Sequence, residues 1–82
     1  MKPEHFEIGL RVTGKDIEGY SVGFAFAPAY IVGATHQPGR FSKKTIRYVV
    51  VRQEAARKLD GGTIGKPEYR ICKFENIKAV EK

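Results

Sequence analysis

The residues best able to do chemistry in this chain are concentrated in one segment. From position 40 to position 58 it carries Arg40, Lys43, Lys44, Arg47, Arg52, Arg57 and Lys58 against a single acid, Glu54. That segment alone holds +6, which is the formal charge of the whole chain, so the remainder is neutral. Clustered guanidinium and ammonium groups are the electrostatic footprint of a phosphate-binding face. Tyr48 lies within the cluster, and Phe41 and Tyr30 lie near it in sequence, offering ring faces on which bases stack. Arg40, Lys43, Lys44, Arg47, Arg52 and Tyr48 are therefore the predicted nucleic-acid contacts. An acidic protein surface is the other partner that such a face fits. The plain structural reading is a solvated surface that keeps a small basic protein soluble.

Other reactive side chains stand apart. His5 and His36 are each alone, with no His, Cys or acid at metal-ligand spacing. The one cysteine, Cys72, has no His placed to activate it, so it reads as a small buried hydrophobe rather than a nucleophile. With no triad, acid–base dyad or metal set, the expectation is a binding protein, not an enzyme, without cofactor or metal. A catalytic site would have to be built between subunits of an oligomer.

The elements that must position these residues are strands. Phe6, Ile8, Leu10 and Val12 alternate with polar residues and predict a half-buried first strand. A short polar turn with Gly14 and Gly19 follows. The stretch from Gly19 to Gly39 holds no Asp, Glu, Lys or Arg. Within it Tyr20, Val22, Phe24 and Phe26 alternate with Ser21, Gly23, Ala25 and Ala27, which predicts a central strand with a bulky core face and a nearly bare face. The bare face suits a tightly curved barrel strand, or close approach of another subunit. Pro28 interrupts, and 29–34 resumes an apolar β-like run. Residues 35–42, THQPGRFS, read as a loop around a Pro-Gly turn. Residues 43–53 form the strongest strand, with Ile46, Tyr48 and Val50 on one face and Arg47, Val49 and Val51 on the other. Residues 54–59 followed by Asp60-Gly61-Gly62 read as a short helix, or alternatively a loop. Tyr69, Ile71 and Lys73 then oppose Arg70, Cys72 and Phe74 across another strand, and 77–80 close the chain as a last one.

Eighty-two residues predict one domain over 1–82. A single cysteine excludes an internal disulfide and favours a reducing, cytoplasmic setting. The first ten residues show no apolar secretory core. Glycines and prolines interrupt the uncharged stretch, so it does not read as a membrane span. The fold expected is mainly β: a small closed or half-closed barrel of about four to six antiparallel strands, with one short helix or helical turn near 54–60.

Laid out in this way, the chain resembles an SH3-like small barrel. Gly9-Leu10-Arg11-Val12, Val22-Gly23-Phe24, Arg47-Tyr48-Val49-Val50 and the closing strand-turn-strand from Tyr69 to Ile77 carry the resemblance. The layout is similar to the plasmid-borne, trimethoprim-resistant dihydrofolate reductase. At the positions of that family's Val-Gln-Ile-Tyr motif stand Tyr69, Arg70, Ile71 and Cys72, and only Ile71 agrees, so reductase activity is not expected. What the resemblance implies is binding: of RNA or DNA, or of protein. The leading expectation is a small basic nucleic-acid-binding module acting through residues 40–58. The alternative is a protein-interaction or accessory protein, of the kind phages and mobile elements encode, that docks on a host protein or self-associates into a homo-oligomer.

Overall fold

A computed structural model describes residues 3–36, 39 and 45–80. Arg40, Lys43, Lys44 and Phe41 lie outside the described residues. The strands are β1 (Arg11–Lys15), β2 (Ser21–Val22), β3 (Ala29–His36), β4 (Ile46–Gln53), β5 (Ala56–Arg57), β6 (Thr63–Ile64), β7 (Glu68–Lys73) and β8 (Ile77–Ala79). Single 3₁₀ turns sit at Pro3–His5 and Phe74–Asn76. All pairings are antiparallel. The main sheet runs β2-β1-β3-β4-β7, with β8 also on β1, and β5 pairs only with β6.

The register fixes how the sheet curls. Val12 pairs with both Ala29 and Ala79, and Gly14 with both Val22 and Ile77. So β8 occupies one edge of β1, while β2 and β3 share the other edge in succession. Between them residues 23–28 leave the ladder opposite Thr13. The tip after β1 then reaches β7: the Ile17 N–H donates to the Ile71 carbonyl at 2.9 Å. The result is a small, mostly β half-barrel, compatible with an SH3-like barrel. Among the described residues no helix is long and apolar enough to cross a membrane.

Inside the curl lie Val12, Val22, Ala29, Ile31, Ile46, Val49, Val51, Cys72, Phe74 and Ile77, with Phe6, Leu10 and Ala34 packed against them. The Phe6 and Phe74 rings meet edge to face at 6.3 Å. Gly14 is required where the turn before β8 passes against β1, because a Cβ there would stand 2.2 Å from the Asn76 carbonyl oxygen. The faces of β7 match the alternation of its sequence: Cys72 and Phe74 are buried, and Tyr69, Ile71 and Lys73 face out.

Four expectations need correction. The strand predicted over residues 6–12 forms over Arg11–Lys15 instead, with Phe6 and Leu10 packing against the core from outside any strand and Ile8 exposed. The bulky set of the predicted second strand is not a core face, since Val22 is buried but Tyr20, Phe24 and Phe26 are 61%, 42% and 57% exposed. The cause is Gly23, whose φ of +78° swings the chain out of the ladder, and whose missing Cβ would lie 2.1 Å from the Val12 carbonyl oxygen. On β4 the faces switch at a bulge. Thr35 pairs with Tyr48 but His36 pairs with Ile46, so Arg47 is the extra residue and Ile46 joins Val49 and Val51 in the core. The helix near 54–60 is replaced by the β5–β6 hairpin. The Glu54 and Arg57 N–H groups donate to the Pro28 and Phe26 carbonyls, at 2.9 Å each, instead of to a helical turn. Two turns of helix are too short to compete with such tertiary partners.

Candidate nucleic-acid interface

A β-strand turns successive side chains to opposite faces. Val12, Ala29, Ile31 and Val51 are fully buried, so their neighbours Arg11, Tyr30 and Arg52 point outward. Arg11 pairs with Tyr30, Tyr30 with Arg52, and Arg52 with Tyr69. Four residues spread over the whole chain thus form one row across β1, β3, β4 and β7: Arg11, Tyr30, Arg52, Tyr69. Directly opposed residues in a sheet have Cβ atoms about 5 Å apart, so cations and ring faces alternate within reach of one another. Tyr69 is 66% exposed at the end of the row. Two further outward rows follow along the same strands, Gly33–Val50–Ile71 and Thr35–Tyr48–Lys73. The convex face of β3, β4 and β7 therefore carries Tyr30, Tyr48, Tyr69, Arg52 and Lys73 around an apolar centre of Val50 and Ile71.

The predicted contact residues divide accordingly. Tyr48 and Arg52 sit on this face, and Arg47 is exposed in the bulge beside it. Arg40, Lys43 and Lys44 fall outside the described residues. The sequence reading missed Arg11, Tyr69 and Lys73. The alternation of Tyr69, Ile71 and Lys73 was legible as a face, but which residues it faces depends on cross-strand register, which a single sequence does not print. Arg52 is also ion-paired with Glu54, Nε to Oε1 at 2.8 Å, which fixes its guanidinium beside the row.

The aromatic loop 23–28 lies at the same end of β4. The Gln53 carboxamide holds it: its Oε1 accepts from the Gly23 N–H at 2.8 Å, and its Nε2 donates to the Ala27 and Glu54 carbonyls at 2.7 and 3.2 Å. The Thr13 hydroxyl shares its one proton between the Gly23 and Val22 carbonyls, at 3.0 and 3.2 Å, and Arg11 Nη2 donates to the Phe24 carbonyl. Phe24 and Phe26 are exposed and stacked on each other, centroids 5.6 Å apart and 9° from parallel. Two shallow grooves flank Tyr30. One of about 540 Å³ is lined by Ile8, Leu10, Arg11 and Val80, and one of about 430 Å³ by Pro28, Glu54, Arg57, Lys66 and Pro67.

The opposite mouth is structural. Asp16 is 4% exposed, and its Oδ1 accepts from the Glu18 and Tyr20 N–H groups at 2.9 and 3.0 Å. Arg70 approaches its Oδ2 at 3.5 Å, lies 5.7 Å from the Tyr20 ring centroid, and donates to Glu68 at 2.6 Å. Arg70 is thus committed to closing the barrel rather than to a ligand. Burial, with the Asp16 charge adding and Arg70 opposing, pushes the Cys72 thiol up to about 11. At neutral pH it is a protonated thiol, not a nucleophile. Among the described residues no three His, Cys, Asp or Glu side chains group to hold a metal. No protein-family model, curated protein or solved structure matches the chain.

Proposed function

We propose that this protein binds single-stranded nucleic acid across the convex face of β3, β4 and β7. The observation that carries the reading is the Arg11–Tyr30–Arg52–Tyr69 row. Guanidinium groups bind phosphate oxygens, and tyrosine faces accept unpaired bases, so an alternating row offers both to one strand. Same-face residues along a strand recur about every 6.6 Å, close to the length of one extended nucleotide. Tyr48, Val50 and Arg52 therefore present successive contacts along β4. The resemblance to SH3-like barrels, which hold nucleic acids or peptides, agrees with a binding role. A duplex keeps its base faces covered, so the rings favour an unpaired strand.

The test is fluorescence anisotropy of single- and double-stranded oligonucleotides at two salt concentrations. Binding should prefer the single strand and fall steeply with salt. Absence of binding at low salt overturns the reading. A second reading, docking on a protein, is favoured by the stacked, exposed Phe24–Phe26 pair, since preordered aromatic side chains are typical anchors of protein interfaces. Capture of one partner that survives nuclease treatment and is lost on Phe24→Ser/Phe26→Ser substitution would support it.

A further inference from the structure

We infer that the groove between Tyr30 and the β5–β6 hairpin is a nucleotide pocket that continues the proposed binding face; the inference rests on that reading. The groove is about 430 Å³, enough for one nucleotide rather than a strand. Tyr30 is its link to the face, since it belongs both to the groove lining and to the Arg–Tyr row. Pro28 and Pro67 supply apolar lining, and Arg57 and Lys66 supply two cations. The one acid in the lining, Glu54, is already neutralised by Arg52 at 2.8 Å, so the groove presents net positive charge. An apolar and aromatic lining with two cations fits a base against Tyr30 and a phosphate between Arg57 and Lys66.

The pocket is also held in shape by backbone rather than by its ligand-facing side chains. The Arg57 N–H donates to the Phe26 carbonyl and the Glu54 N–H to the Pro28 carbonyl. The β5–β6 pairs Ala56–Ile64 and Arg57–Thr63 set the hairpin that carries one side of the groove. Removing the Arg57 and Lys66 side chains therefore leaves these bonds in place. The hairpin, which the sequence suggested as a helix, is what creates the groove.

The test uses labelled oligothymidylates of about 4 to 12 nucleotides. The pocket predicts that Arg57→Ala/Lys66→Ala binds about tenfold more weakly at physiological salt, and that the slope of log affinity against log salt falls by about 0.7, from one lost single-strand phosphate contact. It also predicts that affinity stops rising at a shorter oligonucleotide length for the variant, because one nucleotide loses its seat. Lys15→Ala/Lys78→Ala removes the same charge away from the groove and should change affinity by less than about twofold, since screening confines charge effects to about 8 Å at physiological salt. If Arg52→Ala/Tyr69→Ala weakens binding but Arg57→Ala/Lys66→Ala matches the wild type in affinity and slope, the pocket is overturned and the face stands. If both pairs, groove and control, weaken binding equally, the effect is net charge and the pocket is again overturned. A wild type that binds no oligonucleotide overturns the face and the pocket together.

Discussion

Replacing Gln53 by Leu should uncouple the aromatic loop from the barrel. The side chain makes three hydrogen bonds, with the Gly23 N–H and the Ala27 and Glu54 carbonyls, in part-buried surroundings. Leucine keeps similar volume and removes all three. At about 1 kcal/mol per bond the loss is about 3 kcal/mol, and water reaching the part-buried groups should return some of it, leaving about 2 kcal/mol. A domain of this length holds roughly 4–12 kcal/mol in total, so the variant folds but with a visible deficit. In urea, with a slope of about 1 kcal/mol per molar, the midpoint should fall by about 2 M with the slope unchanged. The near-ultraviolet circular dichroism of the stacked Phe24 and Phe26 rings should weaken in the folded state. A midpoint shift below about 0.5 M, with the aromatic signal intact, would refute the claim that one carboxamide positions this loop.

Further tests follow from other features. Arg52→Ala/Tyr69→Ala should weaken oligonucleotide binding by roughly 1–3 kcal/mol for the stacked ring alone while changing stability little, because the exposed Arg52–Glu54 pair is worth at most about 1 kcal/mol; anisotropy and urea midpoints read the two effects separately. Gly23→Ala should destabilise by at least about 2 kcal/mol, since its Cβ would stand 2.1 Å from a backbone oxygen at a positive φ; a midpoint equal to wild type would contradict the geometry. Cys72 should react slowly with a disulfide reagent when native and rapidly in urea. Its folded value near 11 against an unfolded value of 9.0 means that the unfolded chain releases the proton first as pH rises. Stability from this group is complete below pH 9 and declines by about 2 kcal/mol toward pH 11, a slope that Cys72→Ala should remove from the pH dependence of the urea midpoint.

Part of the core was readable because alternation is a local property. Cys72 is buried as expected, with Phe74 on the same face, and the strands near 46–53 and 68–73 stand where β-branched and aromatic residues cluster. What failed was decided by distant parts of the chain. Gly23 turns outward because it passes against Val12, and Ile46 changes face because a bulge forms opposite the Thr35–His36 step. Glu54 and Arg57 find carbonyl partners at Pro28 and Phe26 respectively, which outcompete the helical preference of an alanine- and arginine-bearing segment. The candidate face shows the same division. Tyr48 and Arg52 were singled out from charge and neighbouring rings, whereas the row that joins Arg52 to Arg11, Tyr30 and Tyr69 exists only once four strands are in register.

The excursion at 23–28 separates two duties of the chain. Val22 and Ala29 are both buried and pair with Gly14 and Val12, so one outward residue between them would complete an unbroken ladder. The six residues present exceed that need by five, and their surplus leaves inside and outside positions in phase. The loop is thus a splice in an otherwise continuous strand, anchored at Gly23 and at the buried Ala27 and presenting the exposed Phe24 and Phe26 rings. Side chains exchanged at Phe24 and Phe26 would inherit that ready-made frame, while the residues that hold the barrel closed stay as they are.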